Sequence, residues 1–329
     1  MSNHKQINIS IIRVLSMISI IIGHWLTMRN VNHFQYGAIG VEIFFFISGY
    51  LYSDKIIKNN LSWIKNRFKR IIVPYWIVLT FVILLRLFFS FNICFEGVFI
   101  SYMNLQGVDR IFRDVSFPGV IGMGQTWFIS VLMICYLLML ILKNNPQIER
   151  RIRLNAKWYF FLTIVIQVIL SYIHIDILRP LCFFYGYFSK KETLNMNSLN
   201  YSKLSLFVLL FTIARFFSHL FYDNTVFYDY IVFGWSFIIT AYWIIVSTTK
   251  ITHKYSFYSE RIINSKFWRV LDCLSYPLFL VHYVFTSGEF AVINWINCIY
   301  IQGIVFVLLI MSFSTILFVF TQRENLLDN

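Results

Sequence analysis

Apolar runs of membrane length follow one another along almost the whole 329-residue chain. They fall at roughly 7–28, 37–53, 71–92, 119–142, 158–174, 176–189, 204–221, 227–247, 271–288 and 298–320, and a helix needs about 20 such residues to cross a bilayer. Inside lipid every backbone group must be bonded within its own segment, so runs like these predict helices. The chain is 58% hydrophobic and only 13% charged, with a mean hydropathy of +0.67. That mixture leaves too little polar surface to clothe a soluble protein of this length. The reading is an all-α, polytopic membrane protein of about ten transmembrane helices, organised as one domain over 1–329. The second, fifth and sixth runs are short.

The formal charge of +13 raises the question of nucleic acid. The placement of the charge answers it. With the N-terminus inside, twenty-one of the 28 Lys and Arg residues fall in inner loops and four (Arg29, Arg110, Arg113, Arg179) in outer ones. Arg13, Arg86 and Arg215 lie within spans. Such an asymmetry predicts a multi-pass protein with both termini in the cytoplasm. The cationic loops then face anionic lipid headgroups, and no nucleic-acid partner is needed. The first apolar run lacks a small-residue cleavage site and is expected to stay as a span. No soluble domain is expected beyond the last run. The outer segment 93–118 carries Phe and Tyr among polar residues and is expected to fold back as a lid or re-entrant piece.

Within the first run, Arg13 and His24 are eleven positions apart. Eleven helical residues make almost three turns, so both side chains leave one face, about 16 Å apart along the axis. Ionisable groups buried at membrane depth are costly and default to a functional reading. The guanidinium suits an anionic ligand, and the imidazole suits proton chemistry. Glu42 stands in the second run, GAIGVEIFFFISGYLY, among Gly37, Gly40 and Gly49, which favour close helix approach. It is the acidic partner expected for His24; the plainer reading is a hydrated carboxylate near the interface. Arg67, Lys69 and Arg70 precede the third run, with Pro74 in its early turns. Forked guanidinium groups suit phosphates, while ordinary cytoplasmic anchoring, with Trp63 and Trp76 as belt residues, is the rival reading. Gln125, Thr126 and Trp127 open the fourth run. In the ninth, LDCLSYPLFLVHYVF, Asp272 and His282 lie ten positions apart and can project to one side, although a lone histidine on an apolar helix more often serves packing.

The absences also bear on function. The five cysteines are scattered and form no CxxC pair, so neither a disulfide framework nor a metal site is expected. There is no GxSxG elbow, HExxH or GxxxxGK[ST] loop, which argues against a soluble-type serine esterase, a zinc protease and an ATP-driven pump.

Taken in order, Arg13-x10-His24, GVEIFFFISGYL (40–51), RFKRIIVPYW (67–76), TWFISVLMICYLL (126–138), CFFYGYFSKK (182–191) and SYPLFLVHYVF (275–285) resemble the acyltransferase-3 family of integral membrane acyltransferases. The resemblance covers nearly the whole chain, and its most specific parts are Arg-x10-His and the Phe-Phe-x-x-Ser-Gly-Tyr element. It implies about ten core helices and transfer of an acyl group, usually acetyl from cytoplasmic acetyl-CoA, to sugars of capsules, exopolysaccharides or related glycans. Acetyl-CoA would be the donor and a glycan or lipid-linked glycan the acceptor, in a bacterial cell membrane. Arg13 and His24 would be the essential pair, with Arg67, Lys69 and Arg70 meeting coenzyme A phosphates and Trp127 and His282 lining the substrate. Many members carry Trp-x-Leu-x-x-Glu where this chain has Trp127-Phe-Ile-Ser-Val-Leu132, so Glu42 stands in as the catalytic acid. The serine-esterase-like domain attached to some relatives is missing, which leaves transfer to the membrane domain. The competing class is a polysaccharide or lipid-linked sugar flippase, which would need no acyl-CoA.

Overall fold

The computed structural model describes residues 3–30, 39–112, 116–172, 175–188 and 234–322. Among them there is no strand, only an isolated antiparallel bridge between Phe112 and Ile175. The helices are α1 (Asn3–Thr27), α2 (Ile39–Tyr50), α3 (Asn60–Phe88), α4 (Phe95–Tyr102), α5 (Trp127–Asn144), α6 (Pro146–Leu154), α7 (Ala156–Tyr172), α8 (Leu178–Phe188), α9 (Gly234–Lys254), α10 (Ser256–Asn264), α11 (Lys266–Val281) and α12 (Ile299–Gln322). Short 3₁₀ turns lead into α5 (Gly124–Thr126) and out of α11 (His282–Phe285).

Among the described residues four helices are long and apolar enough to cross a membrane, at Ile9–Thr27, Asn60–Phe88, Gly124–Asn144 and Ile299–Thr321. They coincide with the runs at 7–28, 71–92, 119–142 and 298–320. The runs at 37–53, 158–174, 176–189 and 271–288 form α2, α7, α8 and α11, of 12, 17, 11 and 16 residues. The run at 204–221 and the start of that at 227–247 lie outside the described residues, as do Arg113, Arg215 and the end of the 182–191 motif.

The third helix starts earlier than its apolar run. Asn59 caps α3, its side chain accepting from the Ser62 amide at 3.0 Å, and the polar stretch behind it holds good helix formers. Arg67, Lys69 and Arg70 therefore sit two to three turns inside α3 rather than at its start. Pro74 is interior too. It cannot donate back to the Arg70 carbonyl, which loses its helical partner.

Glycine sets the closest helix contact. A Cβ at Gly49 of α2 would run into the Phe183 backbone of α8, and one at Gly186 of α8 would meet the Phe46 backbone. Gly40 likewise lies on the Ser16 carbonyl and Ile20 of α1, while Ile43, Phe46, Ile47 and Tyr50 pack with Ile9 and Ile12. So α2 runs antiparallel to α1 and begins part-way down it. The N-terminus of α5 is sunk in the same way: Phe128 packs on Phe45 of α2 and Phe279 of α11, with ring centroids 4.7 and 5.2 Å apart. Of the 93–118 segment, residues 113–115 lie outside the described residues; its α4 docks back on α3 through Tyr75 Oη to the Ser101 carbonyl (2.6 Å) and Trp76 Nε1 to the Tyr102 carbonyl (3.0 Å).

The end that carries the basic loops is tied by side chains. Arg153 of α6 donates to Glu149 at 2.8 Å and to the Ser53 carbonyl at 2.7 Å, and Tyr187 of α8 donates to Glu149 at 2.8 Å. Burial works against the ionised Glu149, but the hydrogen bonds from Arg153 and Tyr187 outweigh it, so its pKa lies below the ordinary glutamate value.

Candidate active site

Helices α1 and α11 lie side by side and meet at two polar levels. At the lower one, nearer the basic loops, Arg13 Nε donates to Asp272 Oδ1 at 2.8 Å and Nη2 adds a second, shorter bond to the same oxygen. Eleven residues further along α1 and ten past Asp272, His24 faces His282 with ring centroids 5.2 Å apart. Tyr283 meets His24 edge-on at 4.9 Å. The two intervals are each close to three helical turns. Both were legible in the sequence; that they pair with each other was not.

His282 is fully buried. Its Nδ1 lies 2.8 Å from the Phe279 carbonyl and 3.2 Å from that of Leu278. These carbonyls belong to the last turn of α11, and that of Leu278 also accepts the His282 backbone N–H. A carbonyl can only accept, so Nδ1 carries the proton and Nε2 presents a lone pair. That Nε2 is buried and has no partner.

The same logic fixes two glutamines. Gln125 Nε2 donates to the Leu280 carbonyl at 2.8 Å, which leaves Oε1 buried and bare. Gln106 Nε2 donates to Tyr75 Oη (2.9 Å) and Thr126 Oγ1 (2.5 Å). Those hydroxyls give their own protons to the carbonyls of Ser101 and Met123, both at 2.6 Å. The Gln106 amide nitrogen must then donate, and its Oε1 is likewise buried without a partner. Gln106, Gln125 and His282 are only 8%, 4% and 0% exposed. An unsatisfied buried polar atom costs about 1–3 kcal/mol, and native folds hold few of them. Three along one connected network mark a place shaped for something else to bind. Gln106 carried no sequence signal, being one polar residue in a connecting segment.

The other expected residues lie around these levels. The Tyr276 hydroxyl of α11 donates to the Ile71 carbonyl at 2.7 Å, which brings the basic turn of α3 beside the lower level, next to Arg13–Asp272. There Arg67 lies over the rings of Tyr52 (5.7 Å) and Trp63 (5.8 Å), and its buried Nε has no partner. Lys69 and Arg70 are exposed on the same helix. Trp127 lies beneath the guanidinium groups of Arg179 (4.7 Å) and Arg110 (5.8 Å). Glu42 is buried with one oxygen unpartnered, and the charges acting on it are Arg179 and Asp176. The structure does not bring Glu42 to His24. Gly40 sits at the Ser16–Ile20 level of α1 and α2 runs away from His24, so Glu42 falls more than a turn below it. The histidine that reaches His24 is His282. Among the described residues no group of three His, Cys, Asp or Glu side chains could hold a metal ion.

A family model described as an acyltransferase domain matches residues 6–323. The chain belongs to the acyltransferase-3 family, and that membership supports a membrane acyltransferase. Neither a curated protein nor a solved structure matches it.

Proposed function

We propose that the protein moves an acetyl group from cytoplasmic acetyl-CoA to a sugar hydroxyl of a capsule, exopolysaccharide or other cell-surface glycan. In this reading the chain crosses the cell membrane about ten times with both termini inside, and the donor enters at the basic end. The observation that carries it is the placing of His24, partly exposed, against a second histidine whose protonation is fixed by the backbone. The unpartnered Arg67 Nε, with Lys69 and Arg70 near it, supports binding of coenzyme A phosphates at the lower level. The pantetheine arm then leads the thioester toward the upper level.

There the sugar oxygen attacks the thioester carbonyl carbon. A C–O bond forms, the C–S bond breaks, and His24 takes the hydroxyl proton and passes it to the departing thiolate. His282 Nε2, able only to accept, holds a hydroxyl of the same sugar beside His24. Arg13 is clamped by Asp272, so it supports the spacing of α1 and α11 and offers its remaining donors to the donor's anionic groups.

The test is the acetyl signal of purified surface polysaccharide by NMR, in a deletion strain carrying wild type or His24→Ala. Loss of a general base lowers rate by about 10²–10⁴, so the variant should leave the polysaccharide unacetylated at normal expression. Full acetylation by His24→Ala would overturn the reading. So would equal acetyl content with and without the gene while surface polysaccharide disappears, which is the signature of a flippase.

A further inference from the structure

We infer that Gln106, Gln125 and His282 form a subsite that accepts hydrogen bonds only, and that it selects a neutral sugar over one bearing a carboxylate. The inference rests on the acyl-transfer reading and names its substrate class.

The three atoms are lone pairs by necessity. Each partner nitrogen is committed to an oxygen that cannot serve as its donor: the carbonyls of Phe279 and Leu280, and two hydroxyls whose protons already go to Ser101 and Met123. Flipping either amide, or moving the imidazole proton to Nε2, would set acceptor against acceptor, so the polarity of the subsite is built into the fold. The three residues are also neighbours in the fold. Gln125 and His282 bond to neighbouring carbonyls at the end of α11, and Gln106 bonds to Thr126, the residue next to Gln125.

A hydroxyl can donate to each of these atoms, whereas a carboxylate is acceptor-only. Brought against three lone pairs, a carboxylate loses its water and gains no donor, and burial of such a charge is strongly opposed. The cations nearest in the fold are engaged elsewhere. Arg13 is held by Asp272, Arg179 bonds Asp176 at 3.1 Å, and Arg179 and Arg110 lie over the Trp127 ring. Arg29, five residues past His24, bonds Gln302 and lies over the Trp25 ring. At this level the Nε atoms of Arg29 and Arg179 are left without a partner, against three bare acceptors. A ring presenting several hydroxyls satisfies the subsite; a uronate does not. Sites built to hydrogen-bond a substrate group discriminate strongly against analogues that cannot supply it.

The experiment uses the full chain in lipid nanodiscs with acetyl-CoA. It compares methyl glycosides of glucose, galactose and mannose with those of the corresponding uronic acids. Saturation-transfer NMR reads binding and mass spectrometry reads acetylated product. In the best-bound pair the neutral member should win by at least about tenfold. Gln125→Met and Gln106→Met each remove one bare acceptor at similar volume and should weaken neutral-sugar binding about tenfold, while acetyl-CoA binding is kept as proof of folding. Gln125→Lys, which puts a cation in place of the lone pair, should narrow or reverse the preference. Equal or better binding of the uronate by wild type overturns the subsite, as does failure to bind any of the six glycosides. Variants that keep acetyl-CoA binding and leave the neutral-to-uronate ratio unchanged overturn it too. Neutral-sugar binding with no acetyl transfer sinks the acyl-transfer reading alone, and transfer that favours the uronates sinks the subsite alone.

Discussion

The two polar levels between α1 and α11 differ in one respect. At the lower level Arg13 has Asp272, and further toward the basic loops Arg153 and Tyr187 share Glu149, while Arg67 beside them keeps one bare donor. At the upper level His282 Nε2, Gln125 Oε1 and Gln106 Oε1 are answered by nothing. Paired charges at membrane depth satisfy each other and hold helices in register. A bare buried acceptor costs the fold stability, so three among neighbouring residues call for an explanation. On the proposed chemistry the lower level positions, and the upper one reacts.

The largest effect should come from the upper level. His282→Ala leaves the α11 fold most of its packing but removes the group facing His24, and acetylation should fall by about 10²–10⁴ with normal accumulation in the membrane. Activity near wild type would return His282 to packing. Next is the donor element. Arg67→Ala with Arg70→Ala should weaken acetyl-CoA binding roughly tenfold to a hundredfold, since a charge-assisted contact is worth about 1.5–3 kcal/mol. Unchanged affinity would make those residues lipid anchors. External labelling of a cysteine introduced at Lys65 in intact cells would move the basic end outside and remove the donor assignment with it.

A positioning role predicts milder losses. Arg13→Lys keeps the charge but not the fork that spans Asp272, so activity should fall less than for either histidine. A loss equal to that of His24→Ala would erase the distinction between the levels. The smallest effect concerns Glu149. Its pKa is lowered in the fold, so its contribution is complete above the unfolded glutamate pKa and is lost as pH falls through the lowered folded value. For a partly exposed pair this amounts to about 1 kcal/mol or less. The unfolding midpoint should drop on acidification and drop less in Glu149→Gln, with activity at neutral pH little changed.

Much of this was readable in the sequence because helices impose a period. Arg13 and His24, and separately Asp272 and His282, were placed on common faces by counting residues, and apolar length located the four described helices able to cross a membrane. The pairing of the two faces was not readable, because it depends on which helices pack together. The seating of α2 between α1 and α8 was hidden in the same way, since Gly40, Gly49 and Gly186 set it through contacts with residues distant in the chain. Glu42 misled for the same reason: nearness in sequence placed it with His24, while the antiparallel α2 carries it down toward Arg179 and Asp176. The start of α3 was missed because its first turns are polar and capped by Asn59, a signal that hydropathy does not carry.

The central claim is that His24 and His282 act as one unit. A double-mutant cycle on purified protein tests it most directly, with transfer from acetyl-CoA measured for wild type, His24→Ala, His282→Ala and the double variant. Groups that act together lose most of their effect when the first is removed. The double variant should be scarcely slower than the worse single one. Losses that multiply, each histidine contributing its full factor in the absence of the other, would contradict it.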